Sequence, residues 1–260
     1  MILEYSEKGI VFFPDPYLIG TPADYNLEYE EVWFTAADGV KLHGWWVPKA
    51  GAPVLVWFHG NAGNISHRLD NIKLLHGLAG VQVFIFDYRE YGRSQGRISR
   101  EGTFQDAAAA YRYVAETRGI PGQEIVLFGR SLGTALATDL AIRVPCRCLI
   151  IESPFTNSSD MAKLFAPFLF DWRPSIPYDN LGKIDKVKAP IMVIHGEQDE
   201  IIPVDMGRRV FAAAPDPKEL YIIPRAHHND TYMVGGEAYF QRLRDFIHRK
   251  AGLSNRPPTP

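Results

Sequence analysis

The sequence predicts an α/β protein: an eight-stranded, mostly parallel sheet with helices on both faces and a short lid segment. Three observations carry this expectation. Near-continuous apolar runs of strand length alternate with helical patterns along most of the chain, as in a parallel sheet covered on both faces. The first two runs flank Asp38-Gly39, a dipeptide suited to a tight hairpin turn, so that pair reads as antiparallel. Residues 124–139, EIVLFGRSLGTALATD, read as strand, sharp turn and helix around Ser131.

The elements follow in order. Glu30 to Thr35 and Val40 to Val47 form the opening hairpin. The remaining six strands are PVLVWF (53–58), VQVFIFD (81–87), EIVLFG (124–129), CLIIE (148–152), APIMVIH (189–195) and ELYII (219–223). Phe104, Ala107, Ala108, Tyr111 and Val114 share one helical face, and Thr103 with Asp106 has the spacing of a capping box at its start. Leu132, Ala135, Leu136, Leu140 and Ala141 mark the helix after Ser131. Pro203 suits the first turn of another helix, and Tyr239, Leu243, Phe246 and Ile247 mark the last. One connection is long: residues 153–188 hold four prolines and the aromatics Phe155, Phe165, Phe168, Phe170, Trp172 and Tyr178. This stretch reads either as a helix packed on the sheet or as a lid whose apolar underside shapes an acyl pocket. The expected organisation is one domain over 1–250, with a disordered tail over 251–260.

Composition narrows the function. With 46% hydrophobic and 22% charged residues over 260 positions, one large core is affordable in surface terms. A net charge of −2, with Lys and Arg scattered singly, argues against a nucleic-acid surface. No segment approaches the ~20 apolar residues of a membrane helix. The N-terminus lacks the basic region of a signal peptide. Cys146 and Cys148 sit two apart in an apparent strand, where disulfides seldom form, so reduced thiols and a cytoplasmic location are expected. The eight histidines show no metal-ligand spacing, and no glycine-rich phosphate motif stands at a strand-to-helix junction. Neither metal nor cofactor is expected.

Chemistry gathers around Ser131. G-R-S-L-G arises readily by chance, and a loop serine between tolerant glycines is the plain alternative. Its position between strand and helix favours a nucleophile, because Gly129 and Gly133 leave room for a strained turn that lifts the hydroxyl above the sheet edge. A serine hydroxyl needs a base, and the base needs a carboxylate to fix its tautomer. "HGEQDE" places Asp199 after the seventh strand, and "PRAHHND" places His227 and His228 after the eighth. Asp199 could instead cap the next helix. His195 reads as a satisfied histidine at a strand end, and Glu152, ending a strand, is the rival acid. Glu197 and Glu200 are expected to face solvent. Two backbone donors must also meet a developing oxyanion. Leu132 N–H, just after the serine, is one; "FHGNAGN" (58–64) offers Asn61 N–H as the other, with Ala62 behind it.

Taken together, "DGVKLHGWWVP", "HGNAGN", "DYREYGRSQG", "GRSLG", "ESPF", "HGEQDEIIP" and "HND" resemble the serine-aminopeptidase-like, abhydrolase-domain branch of the α/β-hydrolase superfamily over roughly residues 28–248. The resemblance implies the α/β-hydrolase fold and selects His228, directly before "ND", over His227 as the base. Two departures stand out. Glu90 occupies a position where glycine is usual, and the hydrophobic N-terminal anchor of many eukaryotic members is missing, which suggests a soluble enzyme. The resulting expectation is a serine hydrolase that cleaves carboxylic esters or thioesters of short to medium acyl length through an acyl-Ser131 intermediate. Its site would comprise Ser131, Asp199 and His228, with Asn61 and Leu132 amides as the oxyanion hole. A small-molecule ester or acyl compound is the expected partner. The alternatives are a peptidase or amidase, and a non-catalytic binding protein of the same fold.

Overall fold

The structure is a computed structural model that describes residues 11–165 and 177–249. Eight strands form one sheet: β1 (Glu30–Thr35), β2 (Lys41–Val47), β3 (Val54–Phe58), β4 (Gln82–Phe86), β5 (Ile125–Arg130), β6 (Cys148–Glu152), β7 (Ile191–Gly196) and β8 (Lys218–Ile223). Their spatial order is β1-β2-β4-β3-β5-β6-β7-β8. The pairs β1·β2 and β2·β4 are antiparallel and all others parallel. The expected eight-stranded, mostly parallel α/β-hydrolase sheet is therefore present. The chain order reverses about β3, so β3 and β5 lie side by side with their C-terminal ends at the crevice where open α/β sheets place ligands.

Period-two alternation sorts the strand side chains to two faces. On β3, Val54, Val56 and Phe58 join one core cluster while Leu55 and Trp57 join the other. The first cluster packs beneath α2 (Arg100–Arg112), α3 (Leu132–Ala141) and α5 (Val204–Ala213). The second packs beneath α1 (Leu69–Leu74) and α6 (Thr231–His248), whose backbone breaks at Gly236. All five β3 side chains are fully buried. Each burial stabilises by about 1.5–3 kcal/mol. A frame of this kind can hold a strained turn at its edge, where one such residue costs about 1–3 kcal/mol.

The structure corrects three local readings. Helix α2 begins at Arg100, with Ser99 accepting the Gly102 N–H at 3.0 Å, so Thr103 and Asp106 are not its cap. Asp106 instead pairs with Arg89, accepting its backbone N–H at 2.8 Å and Nη2 at 2.8 Å. Pro203 stands at the cap position just before α5 rather than inside its first turn. Cys146 precedes β6, and only Cys148 lies in the strand; both thiols are free.

Glu90, where the resemblance expects glycine, has φ of 69°. That backbone favours glycine, and here the Glu90 carboxylate accepts the Ile98 N–H at 2.8 Å, tying the same loop together. The long 153–188 connection supplies α4 (Ser158–Phe165) and returns to an isolated antiparallel bridge between Asn157 and Asp179. Phe168, Phe170 and Trp172 lie outside the described residues, as does the 251–260 tail. Among the described residues, no helix is long and apolar enough to cross a membrane.

Candidate active site

Ser131 sits between β5 and α3 with φ 51° and ψ −118°. A non-glycine residue in that region is strained, and three constraints hold it there. Its N–H donates to the Glu152 carbonyl at 2.9 Å, and its carbonyl accepts the Thr134 N–H at 3.0 Å and the Thr134 hydroxyl at 2.6 Å. The flanking glycines are sterically required. A Cβ on Gly129 would lie 2.5 Å from the Gly133 carbonyl oxygen, and one on Gly133 would run into the Phe58 carbonyl oxygen.

The loops after β7 and β8 meet at the same edge. Glu197 N–H donates to Ile223 O at 3.0 Å and Gln198 N–H to Ala226 O at 2.9 Å, so the two loops are stitched by their backbones. This brings His228 and Asp199 together. His228 Nδ1 lies 2.8 Å from Asp199 Oδ2, and His228 Nε2 lies 3.1 Å from Ser131 Oγ. Burial opposes ionisation of Asp199, yet hydrogen bonds from His195 and His228 and from the Ile202 N–H outweigh it and hold the carboxyl far below the usual carboxylate range. An ionised acceptor there places the imidazole proton on Nδ1 and leaves the Nε2 lone pair facing the serine.

Asp199 does not cap α5, whose cap residue Pro203 has no side-chain cap bond; it instead ties its own loop together. Its Oδ1 accepts the Ile201 and Ile202 N–H groups at 3.0 and 2.7 Å, and Oδ2 faces the imidazole. His195 is buried, with Nε2 2.8 Å from the Ile202 carbonyl and 3.3 Å from Asp199 Oδ2. His227 points outward, about half exposed, with Nδ1 3.1 Å from Glu200. Glu197 and Glu200 are exposed, although Glu200 also accepts the His228 N–H at 3.2 Å.

Glu152 does not reach His228 with its side chain. Its carboxylate is fully buried and accepts from the Thr231 hydroxyl and, at 2.5 Å, from the Tyr239 hydroxyl. It thereby anchors α6 to the end of β6.

The loop after β3 passes close to the serine, a Cβ on Gly60 lying 3.5 Å from Ser131 Cβ. His59, fully buried and with its pKa lowered to about 3 by burial and by the nearby Arg68 charge, is neutral. Its Nδ1 lies 2.7 Å from the Gly60 carbonyl, so that nitrogen carries the proton and donates it. A trans peptide holds its C=O and N–H on opposite sides, so this anchor also fixes the direction of the Asn61 N–H. The Asn61 side chain is engaged elsewhere: its amide donates to the Val11 carbonyl, and its oxygen accepts the Tyr91 hydroxyl at 2.9 Å. Leu132 opens α3, where the first N–H groups of a helix lack intrahelical partners.

Ser131, His228, Leu132, Gly60 and Asn61 border one cavity of about 1200 Å³. Its apolar lining includes Leu132, Phe155, Met161 and Phe165, together with Val11 and Phe13. Phe13–Pro14 pairs in parallel with Ala62–Gly63, which lays the N-terminal segment along the loop after β3. Among the described residues, no group of three or more His, Cys, Asp or Glu side chains is placed to hold a metal ion.

The sequence model described as alpha/beta hydrolase fold matches residues 53–183. The α/β-hydrolase domain-containing protein WAV2 of Arabidopsis thaliana is 34% identical over 253 residues, covering 89% of this chain and 82% of the relative. Protein bem46 of Schizosaccharomyces pombe is 32% identical over 246 residues, covering 88% and 80%. The chain belongs to the α/β-hydrolase family. Among solved structures, an esterase from Pyrococcus furiosus matches with a TM-score of 0.78 at 24% identity, covering 93% of this chain and 98% of that one. The α/β hydrolase GrgF of a Penicillium species matches with a TM-score of 0.71 at 19% identity, covering 85% and 98%. At such identities these likenesses speak for the fold.

Within this hydrolase framework, sequence reasoning missed several residues at the site. Arg130, the variable position of G-R-S-L-G, donates through Nη2 to the His228 carbonyl at 2.7 Å, and its Nε stands 3.3 Å from the Glu152 carboxylate. Its place beside the serine was a usable signal. Arg68, Arg100, Val11 and Phe13 also line the cavity. Nothing in their local spacing points there, because only the fold brings them to this edge.

Proposed function

We propose that this protein is a serine hydrolase that cleaves carboxylic esters or thioesters. The observation that carries the reading is the hydrogen-bonded line from Ser131 Oγ through His228 to Asp199 at the mouth of a largely apolar cavity. Ser131 Oγ attacks the substrate carbonyl carbon while His228 Nε2 takes the hydroxyl proton. The negative charge that develops on the carbonyl oxygen is met by the Leu132 and Asn61 N–H groups. The carbon–oxygen or carbon–sulfur bond then breaks, and His228 returns the proton to the leaving alcohol or thiol. Water, deprotonated by the same nitrogen, attacks the acyl-Ser131 ester and releases the carboxylic acid. Asp199 keeps the imidazole in the correct tautomer and steadies its charged form. No step requires a cofactor.

Short to medium acyl chains are the proposed preference. Among the described residues the 153–188 connection lines the cavity through Phe155, Tyr178 and α4, an apolar wall suited to chains of that length. A panel of p-nitrophenyl esters from acetate to palmitate, with an acyl thioester and an aminoacyl anilide alongside, tests the reading. The expected result is turnover of the esters and thioester with kcat/KM falling at long acyl lengths, and little turnover of the anilide. Efficient anilide cleavage with no esterase activity would replace this reading with a peptidase.

A further inference from the structure

The cavity is charged in a way the apolar acyl pocket does not explain. Its described lining includes Arg68, Arg100 and Arg130 and no aspartate or glutamate, although the whole chain carries a net charge of −2. Two of these cations have evident structural duties. Arg100 donates to Ser158 Oγ at 2.8 Å and lies over the Tyr178 ring at 4.8 Å, bracing α4. Arg130 joins the His228 loop to Glu152. Arg68 has a weaker structural assignment. Its Nη2 donates to the Ala62 carbonyl at 2.6 Å, while its Nε is buried without a hydrogen-bond partner. Burial and the like charge of Arg130 together lower its pKa to about 10. A half-buried, cavity-lining guanidinium that donates to a backbone carbonyl, beside a second cation, is a favourable seat for a planar oxyanion.

Its position also says which half of a substrate it would meet. Arg130, whose charge Arg68 feels, is bonded to the backbone of His228 and approaches Asn229. A leaving group departs beside the residue that protonates it, here His228. Phe155, Met161 and Phe165 give the same cavity apolar surface for an acyl chain. Resting on the acyl-Ser131 reading above, we propose that the natural ester or thioester carries an anionic oxygen group, phosphate or carboxylate, on its leaving-group side, held by Arg68. Such substrates arise from acyl transfer to a phosphorylated or carboxylated alcohol or thiol, and hydrolysis would return that alcohol or thiol with a free acid.

Matched butyryl pairs test this. Butyryl-coenzyme A is compared with butyryl-N-acetylcysteamine, and 3-carboxy-4-nitrophenyl butyrate with 4-nitrophenyl butyrate. The wild type is expected to prefer at least one anionic member by about tenfold or more in kcat/KM, the size of one charge-assisted contact. Preference in the first pair alone marks phosphate, and in the second alone carboxylate. Arg68→Gln should reduce that ratio about tenfold, chiefly through KM, and Arg68→Lys should restore part of it. Equal turnover within both pairs, or a preference untouched by Arg68→Gln in protein that keeps the wild-type circular dichroism, overturns the anion seat while leaving the hydrolase reading intact. No turnover of any member overturns both.

Discussion

Ser131→Ala and His228→Ala are each expected to lower kcat on a p-nitrophenyl ester by about 10⁴- to 10⁶-fold, and the double variant should be hardly worse than either. In the proposed mechanism Oγ and Nε2, 3.1 Å apart, act as one unit: without the base the hydroxyl keeps its proton, and without the hydroxyl the base has nothing to activate. A small residual rate should persist, because the Leu132 and Asn61 amides are backbone groups that neither substitution removes. His227→Ala is the internal control. Its imidazole faces solvent and touches Glu200, so its loss should change kcat by less than about tenfold, or 1.4 kcal/mol. Steady-state kinetics on the four proteins check the set. A dead His227→Ala with a normal His228→Ala would move the base to the neighbouring residue.

Asp199→Asn should reduce kcat by about 10⁴-fold. An asparagine can present its NH₂ group to His228 Nδ1, which favours the tautomer with its proton on Nε2 and takes away the lone pair that faces Ser131. Glu152→Gln should act differently. Its carboxylate holds Thr231 and Tyr239 and stands near Arg130, so the change weakens a buried network and should lower stability by about 1–3 kcal/mol with a much smaller effect on kcat. Thermal melts and kinetics on both variants separate the two carboxylates. A pH dependence follows as well. Because the folded protein holds the Asp199 carboxyl below its usual value of 3.8, the stability it contributes is present above that pH and lost as the pH falls below it. Asp199→Asn should therefore flatten the acid limb of the stability curve.

The strands were legible because buried parallel strands are written as continuous apolar runs, and each predicted run lies within about two residues of a strand in the structure. The strand, turn and helix around Ser131 were legible for a related reason: the glycines at 129 and 133 answer to steric crowding that is local in sequence. Long-range pairing was not. Thr103 and Asp106 have capping-box spacing, but Asp106 is held by Arg89, and Ser99 caps the helix instead. Spacing alone also left His227 and His228 equivalent; the stitched β7 and β8 loops turn one inward and one outward. The arginines of the cavity were hidden for the same reason, since Arg68, Arg100 and Arg130 come from three separate segments that only the sheet topology brings together.

The most direct test of the central claim is covalent. Incubation with a fluorophosphonate followed by intact mass spectrometry and peptide mapping should show one phosphonyl adduct, on Ser131, formed at wild-type rate in His227→Ala, severely slowed in His228→Ala and absent from Ser131→Ala. A folded wild-type protein that takes no label, or one labelled at a residue other than Ser131, would contradict the assignment of Ser131 as the nucleophile.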